Sequence, residues 1–199
     1  MLTGKHHGGS GTGKTAAQRL LRLVLMPACV FLLSAIPATA QMDEYSIKAG
    51  YLYNLTRYVT WPEGTFSSAS APLVICIVGK DPFEGRLEQA VAGKTAGDGR
   101  PLEIRRLKGD NAGALRACQI AFIGKSEKRG ASAIVNAVKD APVFTVADFD
   151  SFAQEGGVAD LRIEDVRVKI DLNMGAAGRA KLKISGKLQQ VSNLVGEES

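Results

Sequence analysis

Six consecutive apolar residues, Leu73-Val74-Ile75-Cys76-Ile77-Val78, stand between Pro72 and Gly79 and restrict the fold more than any other stretch of the chain. A run without polar alternation cannot keep one face in water. It specifies a strand buried on both faces, the situation of a parallel sheet covered by helices on each side.

The flanking segments fit that requirement. Residues 43 to 60 place Ile47, Tyr51, Leu52, Leu55, Tyr58 and Val59 at spacings of three and four, a helical stripe that Pro62 closes. Trp61, the only tryptophan, stands at that exit and reads as a core cap rather than a ligand platform. Asp81-Pro82 offers a helix cap and a first-turn proline ahead of a helix marked by Phe83, Leu87 and Val91. Further strands are predicted at Leu102 to Leu107, Gln119 to Ile123 and Val143 to Val146. Between them come a short helix at Ala112 to Arg116 and a helix capped by Ser126 that carries Ile134, Val135 and Val138. This alternation predicts an α/β fold, a three-layer α/β/α sandwich with a mostly parallel central sheet.

The ending departs from it. Val158 to Ile163 and Val166 to Leu172 flank Glu164-Asp165, and Val166, Val168, Ile170 and Leu172 alternate with Arg167, Lys169 and Asp171. That pattern predicts a C-terminal antiparallel hairpin with one wet face. After a small-residue, basic segment from Asn173 to Lys183, a final helix is expected to bear Leu188, Val191, Leu194 and Val195.

The first forty residues belong to another kind of segment. Basic Arg19 and Arg22 precede an apolar run from Leu23 to Leu33, and small residues lead to Ala38-Thr39-Ala40. A basic start, a short apolar run and a small-x-small site make an export leader, with cleavage expected after Ala40. Gly8, Gly13, Lys14 and Thr15 match a P-loop by spacing. A P-loop needs a strand before the turn and a helix after it, and seven residues leave no room for that strand. We therefore expect residues 1–40 to be a signal peptide and residues 41–199 to form one domain, of a size that supports a substantial core.

Loss of the leader excludes several functions. It holds Lys5, Lys14, Arg19 and Arg22 and no acid, so 25 Lys and Arg fall to 21 against 20 acids, a net charge of +1. Such a balance offers no electrostatic case for nucleic acid. His6 and His7 are the only histidines, so triads and histidine-ligated metals go with them. No cofactor or metal is expected. Cys29 is lost as well, leaving Cys76 and Cys118; an even pair in an exported chain favours a disulfide, with two buried thiols as the alternative.

Three groups of residues invite a functional reading. Val78-Gly79-Lys80-Asp81 and Ile123-Gly124-Lys125-Ser126 each place a glycine, a lysine and a helix cap at the carboxyl end of a strand, the rim where open α/β sheets bind ligands. Lys80, Asp81, Lys125 and Ser126 would suit an anionic group, against the plainer reading of two capped turns. Asp148, Asp150 and Glu155 could be paired acids, but Asp148 reads better as the cap of a short helix that Gly156 ends. Arg179, Lys181, Lys183 and Lys187 form a basic cluster that either meets an acidic partner or lipid headgroups, or stays solvated.

The landmarks together resemble a known family. Ile47-Lys48-Ala49-Gly50-Tyr51-Leu52-Tyr53-Asn54 running to Val59-Thr60-Trp61-Pro62, then Ile77 to Phe83, Gly99-Arg100-Pro101, Cys118-Gln119-Ile120 and Phe152-Ala153 to Gly156-Gly157 are similar in order and spacing to the YfiR-like family. The likeness covers nearly all of residues 43 to 195, with Gly186 and Gln189-Gln190 departing from the family's ending. It implies a periplasmic, non-enzymatic regulator with an α/β fold that forms homodimers. Such a regulator restrains a membrane-bound diguanylate cyclase, or another sensor protein, and an outer-membrane lipoprotein sequesters it in turn. The resemblance also implies a Cys76–Cys118 disulfide, while a second cysteine pair known in the family has no counterpart here. Arg179, Lys181, Lys183 and Ile184, with the neighbouring hairpin, are the expected contact surface for the partner.

Overall fold

The computed structural model describes residues 38–196 apart from residues 110, 165 and 166. The expected leader up to residue 37, with its P-loop match, both histidines and Cys29, lies outside the described residues, as does the centre of the hairpin turn at Asp165 and Val166.

Helix α1 (Ala38–Tyr58) runs into a two-residue strand, β1 (Val59–Thr60). Then come β2 (Leu73–Val78), α2 (Arg86–Val91), β3 (Leu102–Leu107), α3 (Ala112–Arg116) and β4 (Ile120–Ile123). A 3-10 helix (Lys125–Gly130) leads into α4 (Ala131–Val138), followed by β5 (Phe144–Ala147), β6 (Ala159–Glu164) and β7 (Arg167–Asn173). The chain closes with α5 (Met174–Arg179), β8 (Lys183–Ile184), α6 (Gly186–Gln190) and β9 (Asn193–Val195).

Seven strands form one sheet in the order β3-β2-β4-β5-β6-β7-β9, parallel throughout except for the β6–β7 hairpin. All six residues of β2 are buried, as the unbroken apolar run demands. Alternation along the strands divides the core between two faces. Ile75, Ile77, Ile120 and Phe122 meet Ala49, Leu52 and Leu55 of α1 and Leu87 of α2. Val78, Ala121 and Ile123 meet Leu115 of α3 and Ile134, Val135 and Val138 of α4. The result is the three-layer α/β/α arrangement. Phe83 and Phe122 pack edge to face at 4.8 Å between centroids, and each fully buried ring contributes about 1.5–3 kcal/mol. Strands β1 and β8 pair separately as an antiparallel couple, Val59 opposite Ile184.

Three local expectations are corrected. The final helix stops at Gln190, and Asn193–Val195 instead adds a parallel strand beside β7. The free edge of β7 supplies backbone partners, and Asn193 Nδ2 donates to Asp171 Oδ1 at 3.1 Å, so tertiary pairing overrides helical spacing. No helix follows Asp148: residues 150–156 are turns, and the Asp148 side chain points into the interior. The helix marked by Phe83 begins only at Arg86, because Glu84 and Gly85 adopt φ of 51° and 87°. Asp81 Oδ1 accepts from the Phe83 N–H at 2.7 Å and sets that turn instead of capping the helix.

Candidate functional site

Strands β2 and β4 are neighbours with Val78 opposite Ile123, so the two Gly-Lys turns lie side by side at the carboxyl rim. From β2 the chain passes to α2 on one face of the sheet, and from β4 to α4 on the other. Their divergence makes this rim the topological switch point, where such sheets bind ligands. Lys80, Lys125 and Ser126 are exposed there, and the Lys80 N–H donates to Ser126 Oγ at 3.0 Å. Ser126 lies within the 3-10 helix and Gly124 takes the N-cap position, so the hydroxyl joins the two turns rather than capping a helix. Asp81 faces sideways: its Oδ2 accepts from Arg106 Nε on β3 at 2.9 Å.

Glu127 fills the notch between the turns. Gly79 has φ of +87°, and a Cβ at that position would lie 2.6 Å from Glu127 Cγ; a Cβ on Gly109 would collide with Glu127 Oε2. At Gly79 the left-handed backbone requires glycine, and a Cβ there would also meet Ser126 Oγ; at Gly109 the Glu127 carboxylate alone stands in the way. An internal carboxylate thus lies beside the two turns.

A second polar group is sealed beneath α1. Lys48 is 1% exposed, yet its Nζ pairs with Glu44 one turn earlier and stands 3.7 Å from Asp148 Oδ2. Tyr45 Oη donates to the same carboxylate oxygen at 2.7 Å. Burial, reinforced by that bond to Asp148, pushes the Tyr45 phenol far above its ordinary value. Asp148 Oδ1 has no hydrogen-bond partner among the described residues. An acid, a phenol and an ammonium in contact make a catalytic combination by type; here Tyr45, Lys48 and Asp148 are all buried, and their contacts clamp α1 to the end of β5. Of the helical stripe read from the sequence, Leu52, Leu55 and Val59 are buried and Ile47, Tyr51 and Tyr58 are half-buried; Tyr45, Lys48 and Ala49 complete the buried face. A lysine spaced three and four residues from Tyr45 and Leu52 was the available signal.

A third cluster joins the hairpin to its surroundings. Asp171 accepts from Arg162 Nη2 at 2.7 Å, Gln154 Nε2 at 3.0 Å and Asn193 Nδ2 at 3.1 Å. Burial alone would raise this carboxyl, but the bonds from Asn193 and Gln154 and the Arg162 guanidinium outweigh it and hold Asp171 below the usual range. Asp160, also in contact with Arg162, is pushed up by burial. The four links bind the 150–156 turns, β6, β7 and β9 into one unit.

Cys76 and Cys118 are joined as a disulfide with Cα atoms 5.9 Å apart, both buried, in a small cluster with Val74 and Leu107. Beside it the Trp61 indole N–H donates to the Gln119 carbonyl at 3.2 Å, consistent with the cap reading.

The basic residues near the C-terminus come from several elements. Arg179, at the end of α5, borders a small pocket with Lys139 and Val135. Lys181 is exposed with φ of 56°, and Lys183 lies on β8 opposite Thr60. Ile184 is half-buried against the main core. Lys187, on α6, borders a separate cavity of about 300 Å³ lined by Tyr51, Asn54, Leu55, Tyr58, Ile170, Leu188, Gln190 and Val191. Among the described residues, no group of three or more His, Cys, Asp or Glu side chains could hold a metal ion, and no helix is long and apolar enough to cross a membrane.

Comparison with known proteins completes the picture. A solved structure of a conserved domain protein from Vibrio cholerae is similar at a TM-score of 0.48 and 9% sequence identity, covering 62% of this chain and 55% of that one. No curated protein matches the chain significantly. Residues 45–193 match the YfiR/HmsC-like family, an interval that takes in the sheet, the disulfide, the buried Lys48 clamp and the start of β9. The chain belongs to the YfiR/HmsC-like family.

Proposed function

We propose that this chain is an exported, non-enzymatic regulator that binds the periplasmic sensor region of a membrane signalling protein of the diguanylate cyclase type and restrains it. The family match over residues 45–193 carries the reading. Two features support it: Tyr45, Lys48 and Asp148 are buried in a contact that ties α1 to the sheet, and a buried disulfide suits an oxidising compartment. In this reading residues 1–40 are removed after Ala40, the mature chain is a homodimer, and Arg179, Lys181, Lys183 and Ile184 with the β6–β7 hairpin meet the partner. An outer-membrane lipoprotein competes for the same regulator.

Affinity capture of the tagged protein from a periplasmic extract, combined with c-di-GMP measurement in a deletion strain, tests it. Recovery of a membrane sensor and a rise in c-di-GMP are expected; neither a sensor nor a change in c-di-GMP would sink the proposal. Lys181→Glu/Lys183→Glu should weaken the capture, mass spectrometry should find Gln41 first, and light scattering should give the dimer mass.

A second reading places an anionic ligand at Lys80, Asp81, Lys125 and Ser126. The adjacency of the two Gly-Lys turns at the switch point favours it. Thermal-shift screening of the wild type against Lys80→Glu/Lys125→Glu separates the readings, since a small ligand stabilises the fold without any protein partner.

A further inference from the structure

We infer that the groove between α1 and α6 is a binding site for a small amphipathic monoanion, an aliphatic or aromatic carboxylate. The cavity of about 300 Å³ is at the small end of the range for ligand pockets. Its walls are Tyr51, Leu55 and Tyr58 from α1, Ile170 from β7 and Leu188 from α6, so its floor is apolar and continuous with the main core. The α6 wall is tied to α1 where the Ser185 N–H donates to the Tyr58 carbonyl at 2.8 Å, and it is braced within itself. Ser185 Oγ accepts from the Leu188 N–H at 3.3 Å, Gln189 Nε2 donates to the Ile184 carbonyl at 2.9 Å, and Ser192 Oγ donates to the Leu188 carbonyl at 2.7 Å. A wall fixed in this way spares the ligand most of the ordering cost.

Charge selects the ligand class. Lys187, exposed at the mouth of the groove, has no carboxylate or ring partner among the described residues. The Asn54 and Gln190 amides at the same mouth also make no hydrogen bond among the described residues. One ammonium and two amides at the rim of an apolar groove can serve a carboxylate, whereas a phosphate group calls for more positive charge. The groove lies apart from the strand-end rim, and its occupancy does not depend on the regulator reading.

Titration calorimetry of the full chain with octanoate, and with octanamide as its neutral counterpart, tests the inference. Octanoate should bind the wild type at least about tenfold more tightly than octanamide, the difference expected for one charge-assisted contact. Lys187→Met, which keeps most of the stem, should weaken octanoate about tenfold and leave octanamide unchanged. Val191→Glu, at a position 70% exposed and hence safe for folding, should weaken octanoate by repulsion. Absence of octanoate binding to the wild type overturns the inference, as does equal loss of both ligands in Lys187→Met. Loss of octanoate binding only in Lys80→Glu/Lys125→Glu would move the anion to the strand-end rim. If Val191→Glu dissociates a dimer while octanoate fails to bind, the groove is covered by a second copy and the inference falls. The titration contains no protein partner, so none of these failures touches the regulator reading.

Discussion

Replacing Lys48 with methionine should cost far more than the loss of an ion pair on the surface. The Lys48 and Asp148 side chains are 1% and 0% exposed, so the substitution leaves a carboxylate in the interior. One of its oxygens would keep only the Tyr45 hydroxyl and the other already has no partner. Breaking a buried pair from one side costs about 3–5 kcal/mol, whereas exposed pairs are worth about 0–1 kcal/mol. At about 2–4 °C per kcal/mol for a domain of this size, Tm should fall by about 6–20 °C. The double variant Lys48→Met/Asp148→Asn removes both charges and keeps an acceptor for Tyr45. It should recover all but about 1–2 kcal/mol, giving a coupling of about 2 kcal/mol or more. Glu44, 25% exposed, can turn to solvent in either variant and does not change the sign. Urea and thermal unfolding of the four proteins measure the cycle, with equal m-values as the check on two-state comparison. A Lys48→Met variant within about 0.5 kcal/mol of wild type, or an additive double, would refute the clamp.

Removing the disulfide by Cys76→Ala/Cys118→Ala frees a loop with a sequence separation of 42 residues, worth about 4 kcal/mol of chain entropy; urea midpoints that coincide with and without reductant would contradict this. The lowered Asp171 carboxyl contributes stability above its unfolded pKa of about 3.9 and loses it as pH falls through the folded value, whereas raised Asp160 contributes only at low pH and loses it as pH rises. Asp171→Asn should therefore flatten the loss of stability below about pH 4, and an unchanged acid profile by circular dichroism counts against the assignment. Gly79→Ala forces a left-handed residue and presses on Glu127, so a loss of about 1–3 kcal/mol in urea unfolding is expected; an alanine variant as stable as wild type would show that Glu127 does not hold the notch.

The parallel sheet was legible because Leu73 to Val78 and Ile120 to Ile123 are apolar without alternation, and short runs of that kind bounded by turn residues suit strands buried on both faces. The β6–β7 hairpin was legible for the opposite reason, since Val168, Ile170 and Leu172 alternate with charges. Adjacency of the two Gly-Lys turns was half visible: each turn could be seen, but their closeness depends on β2 and β4 being neighbours while β3 lies outside them. Glu127 and Lys48 were hidden because each lies in a local pattern that looks solvated, and only tertiary packing brings glycines against one and Asp148 against the other. Strand β9 was misread because Leu188, Val191 and Leu194 repeat at helical spacing although α6 ends at Gln190. Three residues of backbone pairing decide that segment, and no side-chain period records them.

Trp61, the only tryptophan in the chain, gives the molecule a single-site optical reporter. Its indole is tied to the Gln119 carbonyl, which also accepts from Phe144 N–H, and Gln119 Oε1 accepts from Val74 N–H. Tryptophan emission therefore follows the β2–β4–β5 seam one residue from Cys118. Excitation at the red edge of the absorption band, where tyrosine does not absorb, isolates this one indole from the four tyrosines. The opening of that seam can thus be timed in the unmodified protein, without an added label.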